Sequence, residues 1–600
     1  MSPQSPGLSL PEGERGEETV ILDGGSLSLE DLARVARDPR VRVEIHPEAW
    51  ERVEASRAQI EGIVARYAEE WAKEGGRPVL EYGVTTGFGE FKNVPIAPHS
   101  LEELQRNILL SHSVGVGETA DPGNPANYFE PDVVRATLAI RLNAFLKGHS
   151  GIRAEVVRAV QAMLNRGIVP LVPIRGSVGS SGDLCPLSQL FVILLGESRY
   201  YIVHDPEDLP HRTRDLRSSL DHLNEDLGMA VPELRHKDGL ALTNGATFSA
   251  ALLALAVHDA ERLADTADAA AALSLEAVCG CARAFDPKVH ASRGLAGQIA
   301  SAANVRELIR GSRLIEKAGA VQDVYSLRCA PAVHGAARDA MAYARRVAEA
   351  EINAATDNPL FFPGEGTPFD HEFATNWPEG YDGRERISYS AGNFHGEPVG
   401  MAADVLAIAL AELASISERR TQMLLDGNQN RNLPSNLVPH RGINSGLMIV
   451  QYAAAGIVSE NKVLTHPASV DSIPTSANSE DHNAMSTIAA RKVRTILRNA
   501  QSVLAIELLV AAQGVEWRVA MKRDPVSTRK AAADWDRADQ EAHDFEERTR
   551  PERRPEIAAE LGEGTRRIYL QVREAAPTML RDRVLEGDIR AVRGVVEGWG

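Results

Sequence analysis

Three stretches of this 600-residue chain leave little choice of fold. They run from Phe248 to Val278, from Val399 to Leu425 and from Ala500 to Gly514, and all are rich in alanine and apolar residues. In the first, Leu252, Leu255, Leu263, Leu273 and Leu275 fall on more than one face of a helix. A helix that is apolar nearly all round has to be buried by other helices. Aromatic residues make up only 5% of the chain, which favours helix over sheet. The expectation is a mainly α protein with a long central helical bundle and a smaller N-terminal mixed region. Bundles of this kind can also pack subunit against subunit through their helices.

Charge and cysteine usage narrow the function. A formal net charge of -18 argues against a nucleic-acid partner. Four cysteines, Cys185, Cys279, Cys281 and Cys329, make no disulfide framework in a chain this long. Cys279-Gly-Cys281 has no second ligand pair, so no metal site is expected. No apolar run approaches the roughly 20 residues of a membrane span. The polar, acidic N-terminus lacks the basic-then-apolar pattern of a secretory signal. No membrane partner and a cytoplasmic location are the resulting expectations.

Along the chain, residues 1–19 are rich in Pro, Gly, Ser and Glu and read as a disordered tail. The N-terminal region spans 20–240. It opens with a strand from Thr19, a Gly24-Gly turn and a helix started by Ser28. A long helix is expected over Pro47–Ala72, with Ile60, Ile63, Val64 and Tyr67 at helical spacing. The bundle occupies 241–530, and a charged helical tail fills 531–600. Residues 201–237 and 362–388 read as excursions from the core pattern.

Within the N-terminal region lies Gly176-Ser-Val-Gly-Ser-Ser-Gly-Asp-Leu-Cys-Pro-Leu187. Glycines this dense mean a backbone at positive φ or in close approach to something. On its own the stretch reads as a Gly/Ser loop, or as an anion cradle at a helix start, though no Lys follows as in a P-loop. A third reading is chemical. The stretch resembles the signature of the aromatic amino acid ammonia-lyases, in which an Ala-Ser-Gly triplet cyclises to a 4-methylidene-imidazol-5-one ring (MIO). Here the triplet is Ser180-Ser181-Gly182. The Gly182 amide nitrogen would attack the carbonyl of Ser180, and Ser181 would lose water to leave the methylene. The resemblance implies this built-in electrophile and no external cofactor.

Seven further motifs, in order from Tyr82 to His482, carry the same resemblance. Tyr82-Gly-Val-Thr-Thr-Gly-Phe-Gly89 is a loop by its glycines. Alone, Tyr82 reads as a packing tyrosine; the resemblance makes it the base. Ser111-His112, otherwise a satisfied pair on an apolar helix, matches the histidine branch of the family. Asn244, a turn asparagine by itself, is implied to contact substrate. In Gln322-Asp-Val-Tyr-Ser-Leu-Arg328, the resemblance makes Arg328 the clamp for the substrate carboxylate, where a planar bidentate fork suits the task. Gln322 and Tyr325 line the same site, Tyr325 among the catalytic residues. Phe394 would lie against the ring or the substrate. Ile352-Asn-Ala-Ala-Thr-Asp-Asn-Pro-Leu360 is a further landmark. The run from Ser459 to His482 reads like the histidine branch, with Glu460 implied to meet the imidazole.

These resemblances imply a lyase that removes ammonia from L-histidine to give trans-urocanate, a homotetramer whose sites draw on several subunits, and a free amino acid as its small-molecule partner. Two alternatives stay open. One is a phenylalanine or tyrosine lyase, or a 2,3-aminomutase. The other is a non-catalytic helical assembly protein.

Overall fold

The computed structural model describes residues 18–76, 78–208, 216–364, 387–526 and 535–599. Most of the expected N-terminal tail, and parts of both expected excursions, lie outside them. The chain divides into two compact units. The first comprises Met1–Gly176, Leu184–Thr247 and Ile352–Asn393; the second comprises Ser177–Asp183, Phe248–Glu351 and Phe394–Gly600.

The first unit is mixed, as its alternation of short extended runs and helices predicts. Thr19–Leu22 pairs in parallel with Arg42–Ile45, with Thr19 opposite Arg42. Between them runs the helix Leu29–Arg37, capped where the hydroxyl of Ser28 accepts from the Asp31 amide at 3.0 Å. Ile168–Pro170 pairs antiparallel with Tyr200–Ile202, and Leu360–Phe361 with Ser388–Tyr389. The expected long helix spans Pro47–Trp71, and its Ile60 and Ile63 pack with Val84 and Phe361. Pro131–Leu146 is buried at every position except Asp132.

The second unit holds the long helices. Thr247–Ala277, Glu397–Leu425 and Ser486–Ala520 cover the three stretches that set the expectation. Leu252, Leu263, Leu273, Leu410, Leu504 and Leu508 are all buried. Glu397–Leu425 packs on both Ser486–Ala520 and Ala330–Glu351. Charged Asp404 and Glu412 interrupt Glu397–Leu425, so it contains no unbroken apolar run of span length. Averaged over a window, it is nonetheless long and apolar enough to cross a membrane, the one such helix among the described residues. Two-thirds of that window is buried inside the protein, the signature of a core helix.

The charged C-terminal stretch is less solvated than its composition predicts. Ile568, Tyr569 and Val572 of the helix Glu563–Ala575 are fully buried. The Arg573 guanidinium of that helix reaches both oxygens of buried Glu516, at 2.7 and 3.0 Å.

Candidate active site

The glycine- and serine-rich loop, residues 177–183, is held by three parts of the second unit. The Gly179 carbonyl accepts from the Gly396 amide at 2.9 Å, and the Val178 carbonyl from Met485 at 2.7 Å. The Ser180 hydroxyl accepts from the Ala484 amide at 2.9 Å. Gly179 has φ +71°, and a Cβ there would fall 2.0 Å from the Ser486 hydroxyl, so only glycine fits.

Beneath the loop, Asp183 is completely buried. Its carboxylate accepts from the Ser249 amide at 2.8 Å and from the hydroxyls of Ser177 at 2.8 Å and Ser249 at 3.0 Å. Thr487 donates to the same oxygen. Burial pushes the Asp183 carboxyl above its usual range, and these hydrogen bonds oppose the shift. The carboxylate thus knits the loop to the starts of two long helices. An acidic residue wedged between Gly182 and the apolar Leu184–Leu195 stretch is the one signal in the sequence for this role.

Above the loop, the Ser181 hydroxyl donates to Glu480 Oε1 at 2.7 Å. Glu480 is steered by Thr475, whose hydroxyl donates to its other oxygen at 2.7 Å and whose backbone pairs with it in both directions. Phe394 is half-buried. Its neighbour His395 stacks on His482, with centroids 5.9 Å apart and the planes within 6°. Nothing in the spacing of the sequence marked Glu480. Glu460 is placed differently: it is exposed on Met448–Leu464, where Oε2 accepts from Asn499 at 3.0 Å. No contact described for it reaches the triplet.

Gln322, Tyr325 and Arg328 share one short segment of the second unit. The helical turn Tyr325–Arg328 places the Arg328 guanidinium 4.6 Å from the centre of the Tyr325 ring. Gln322 and Tyr325 are exposed. Arg328 Nε is buried without a hydrogen-bond partner among the described residues.

The remaining expected site residues belong to the first unit. The Tyr82 hydroxyl accepts from the Gly89 amide at 3.1 Å, across its own loop. Thr85 closes the base of that loop by accepting from the Glu81 amide at 2.8 Å. Ser111 and His112 end the helix Leu101–His112, with Oγ and Nδ1 2.9 Å apart. Asn244 is buried; its Nδ2 donates to the Asn358 carbonyl at 3.2 Å, while Oδ1 has no partner among the described residues.

A family model for aromatic amino acid lyases matches residues 27–537. The chain belongs to the aromatic amino acid lyase family. This lyase is similar to a histidine ammonia-lyase of Caldanaerobacter subterraneus subsp. tengcongensis, 42% identical over 579 residues that cover 96% of each chain. Among solved structures it resembles the histidine ammonia-lyase of Trypanosoma cruzi, with a TM-score of 0.75 and 35% identity over 97% of this chain and 93% of that one. It also resembles the tyrosine aminomutase of Streptomyces globisporus, with a TM-score of 0.78 and 31% identity over 97% of both.

The residues of the triplet fit the ring closure that the resemblance implies. Gly182 has no side chain to hinder its amide and sits at φ +74°. Ser181 carries the hydroxyl to be lost, and that hydroxyl donates to Glu480 Oε1. Ahead of the triplet the backbone is pinned at the Val178 and Gly179 carbonyls, and within it the Ser180 hydroxyl is held by the Ala484 amide.

Proposed function

We propose that this lyase is a histidine ammonia-lyase, converting L-histidine to trans-urocanate and ammonia. The carrying observation is the carboxylate of Glu480 on the triplet hydroxyl. An imidazole offers a ring N–H that such an acceptor can bind, whereas a phenyl ring offers none. The end-to-end similarity to histidine ammonia-lyases supports the same reading.

The MIO ring closed from Ser180-Ser181-Gly182 would supply an electrophilic methylene next to the substrate. The other roles belong to side chains. Tyr82 takes the β-proton; a free tyrosine has a pKa of about 10, so it needs donors nearby to act near neutral pH. Its hydroxyl already accepts one hydrogen bond, from the Gly89 amide. General-base help of this kind is typically about 10²–10⁴-fold in rate. Arg328 clamps the carboxylate, with Gln322 and Tyr325 beside it. Asn244 offers its Oδ1, which has no partner among the described residues, to the substrate ammonium. Ser111 and His112 read the imidazole with Glu480, which takes over the role that the resemblance implied for Glu460. Phe394 packs on the ring or the substrate.

The enzyme is proposed to be a homotetramer with shared sites. Tyr325 is 71% exposed and Val321 fully exposed in the single chain, which leaves the clamp segment open to another copy. All four cysteines are free, in keeping with a cytoplasmic enzyme.

Side-by-side turnover of L-histidine, L-phenylalanine and L-tyrosine tests the reading. Urocanate is expected; cinnamate, coumarate or a β-amino acid would overturn it. Ser181→Ala should abolish turnover with the fold intact, and the unaltered chain should weigh two waters less than its sequence. Retained turnover in Ser181→Ala would refute the MIO assignment.

A further inference from the structure

A line of ionisable side chains runs through the interior of the second unit. Asp268, His334, Arg420 and Glu507 are all 0% exposed, and each comes from a different long helix. Groups like these are costly to bury unless every one is paired. Here the pairing is close to complete. Arg420 Nε and Nη2 donate to the two oxygens of Glu507 at 2.5 and 2.8 Å. The Ser274 hydroxyl adds a bond to Glu507 at 2.7 Å. At the far end, Asp268 accepts from His334, Ser301, Asn304 and Arg338.

The tautomer of His334 follows from its neighbours. Its Nε2 lies 3.3 Å from Arg420 Nη1. Arginine has no acceptor, so Nε2 must accept. The ring proton is then on Nδ1, which donates to Asp268 at 2.7 Å. Burial, the largest influence on His334, lowers its pKa and keeps the ring neutral.

The remaining Arg420 Nη1 hydrogen points to the Ser326 carbonyl, 3.3 Å away. Ser326 lies in the turn Tyr325–Arg328. The same segment is fixed at its other end by Asp323, which accepts from the Cys281 amide at 2.7 Å and pairs with Arg431. Arg420 therefore stands inside the bundle with its geometry fixed by Glu507 and His334, and it touches the backbone of the turn that presents Arg328.

We propose that Arg420 is a positioning residue for the carboxylate clamp, transmitting the order of the buried Asp268–His334–Arg420–Glu507 chain to Arg328 through the Ser326 carbonyl. This rests on the reading of Arg328 given above. A bidentate arginine–carboxylate contact demands a defined plane and distance. A displacement of about 1 Å in a positioned group can cost about 10²-fold in rate.

Arg420→Met alone would strand the Glu507 charge and endanger folding. The test therefore uses the full chain with Arg420→Met/Glu507→Met, which removes both charges together, and with the conservative Arg420→Lys. The double variant should fold, raise KM for L-histidine about tenfold or more, and leave inhibition by histamine, which lacks the carboxylate, within about twofold. Arg420→Lys should fall between it and the unaltered enzyme. Equal changes for histidine and histamine, or no change in either, would overturn the proposal. A second readout stands apart from turnover: the amides of Leu327, Arg328 and Cys329 should exchange hydrogen faster in the double variant, with Gly179 unchanged. If the unaltered chain makes no urocanate, the functional reading fails, and this exchange measurement alone decides the positioning role. Equal exchange at the three amides refutes it.

Discussion

On the proposed reading, a single carboxylate at Glu480 separates substrates of similar size. A hydrogen bond to a charged group is worth about 1.5–3 kcal/mol, or about one to two powers of ten in preference. Glu480→Gln should therefore lower kcat/KM for L-histidine by about 10–100-fold and that for L-phenylalanine by clearly less. Equal losses would remove Glu480 from the specificity apparatus. Glu460→Gln, on an exposed helix face, should change histidine turnover by less than about threefold. Both glutamates lie in one run, from Ser459 to His482, and both fit the chemistry. What separates them is the fold. The helix carrying Glu460 ends at Leu464, and the loop beyond it closes through the Thr475–Glu480 pairing. A backbone reversal of that kind leaves little trace in residue types.

A second glutamate ties a residue to pH. Glu276 is fully buried; one oxygen accepts from the Gly562 amide at 2.8 Å and the other has no partner among the described residues. Burial pushes its pKa up to about 7. The native state then holds this proton more tightly than the unfolded chain. Its contribution to stability is full below the unfolded value of about 4.3 and is lost as pH rises through 7. Between pH 5 and pH 8 the Tm of the unaltered protein should fall relative to that of Glu276→Gln. Parallel curves would show that Glu276 is ionised throughout.

Among the elements, the long helices were the most legible, because alanine and leucine on every face admit only burial. Their lengths were less so. Ser486–Ala520 extends well beyond the expected Ala500–Gly514, since its first half carries Arg491, Lys492 and Arg494 among its apolar residues. Lys492 is turned inward there, to Asp404 at 3.1 Å. The C-terminal helices misled composition in the same way: Arg573 is spent on buried Glu516, so its charge marks an interior contact. Leu508, fully buried at the centre of Ser486–Ala520, should cost about 2–5 kcal/mol as Leu508→Ala. Urea unfolding would measure it, and a loss below about 1 kcal/mol would show that this helix is less tightly packed than its burial indicates.

For the whole molecule, the exposed segment around Val321 and Tyr325 bears on assembly. Light scattering should give about four times the 64.9 kDa mass of the chain. An active monomer would refute shared sites. The loop of residues 177–183 has a different consequence. It belongs to the second unit, yet the chain on both sides of it belongs to the first. The second unit is therefore not a continuous length of the gene. A crossover between two relatives at residue 247 would join one parent's triplet to the other parent's Ser249, Glu480, Ala484 and Thr487, the residues that hold it. Recombination should succeed only between parents that agree at those positions, so the loop and its cradle are expected to be inherited together.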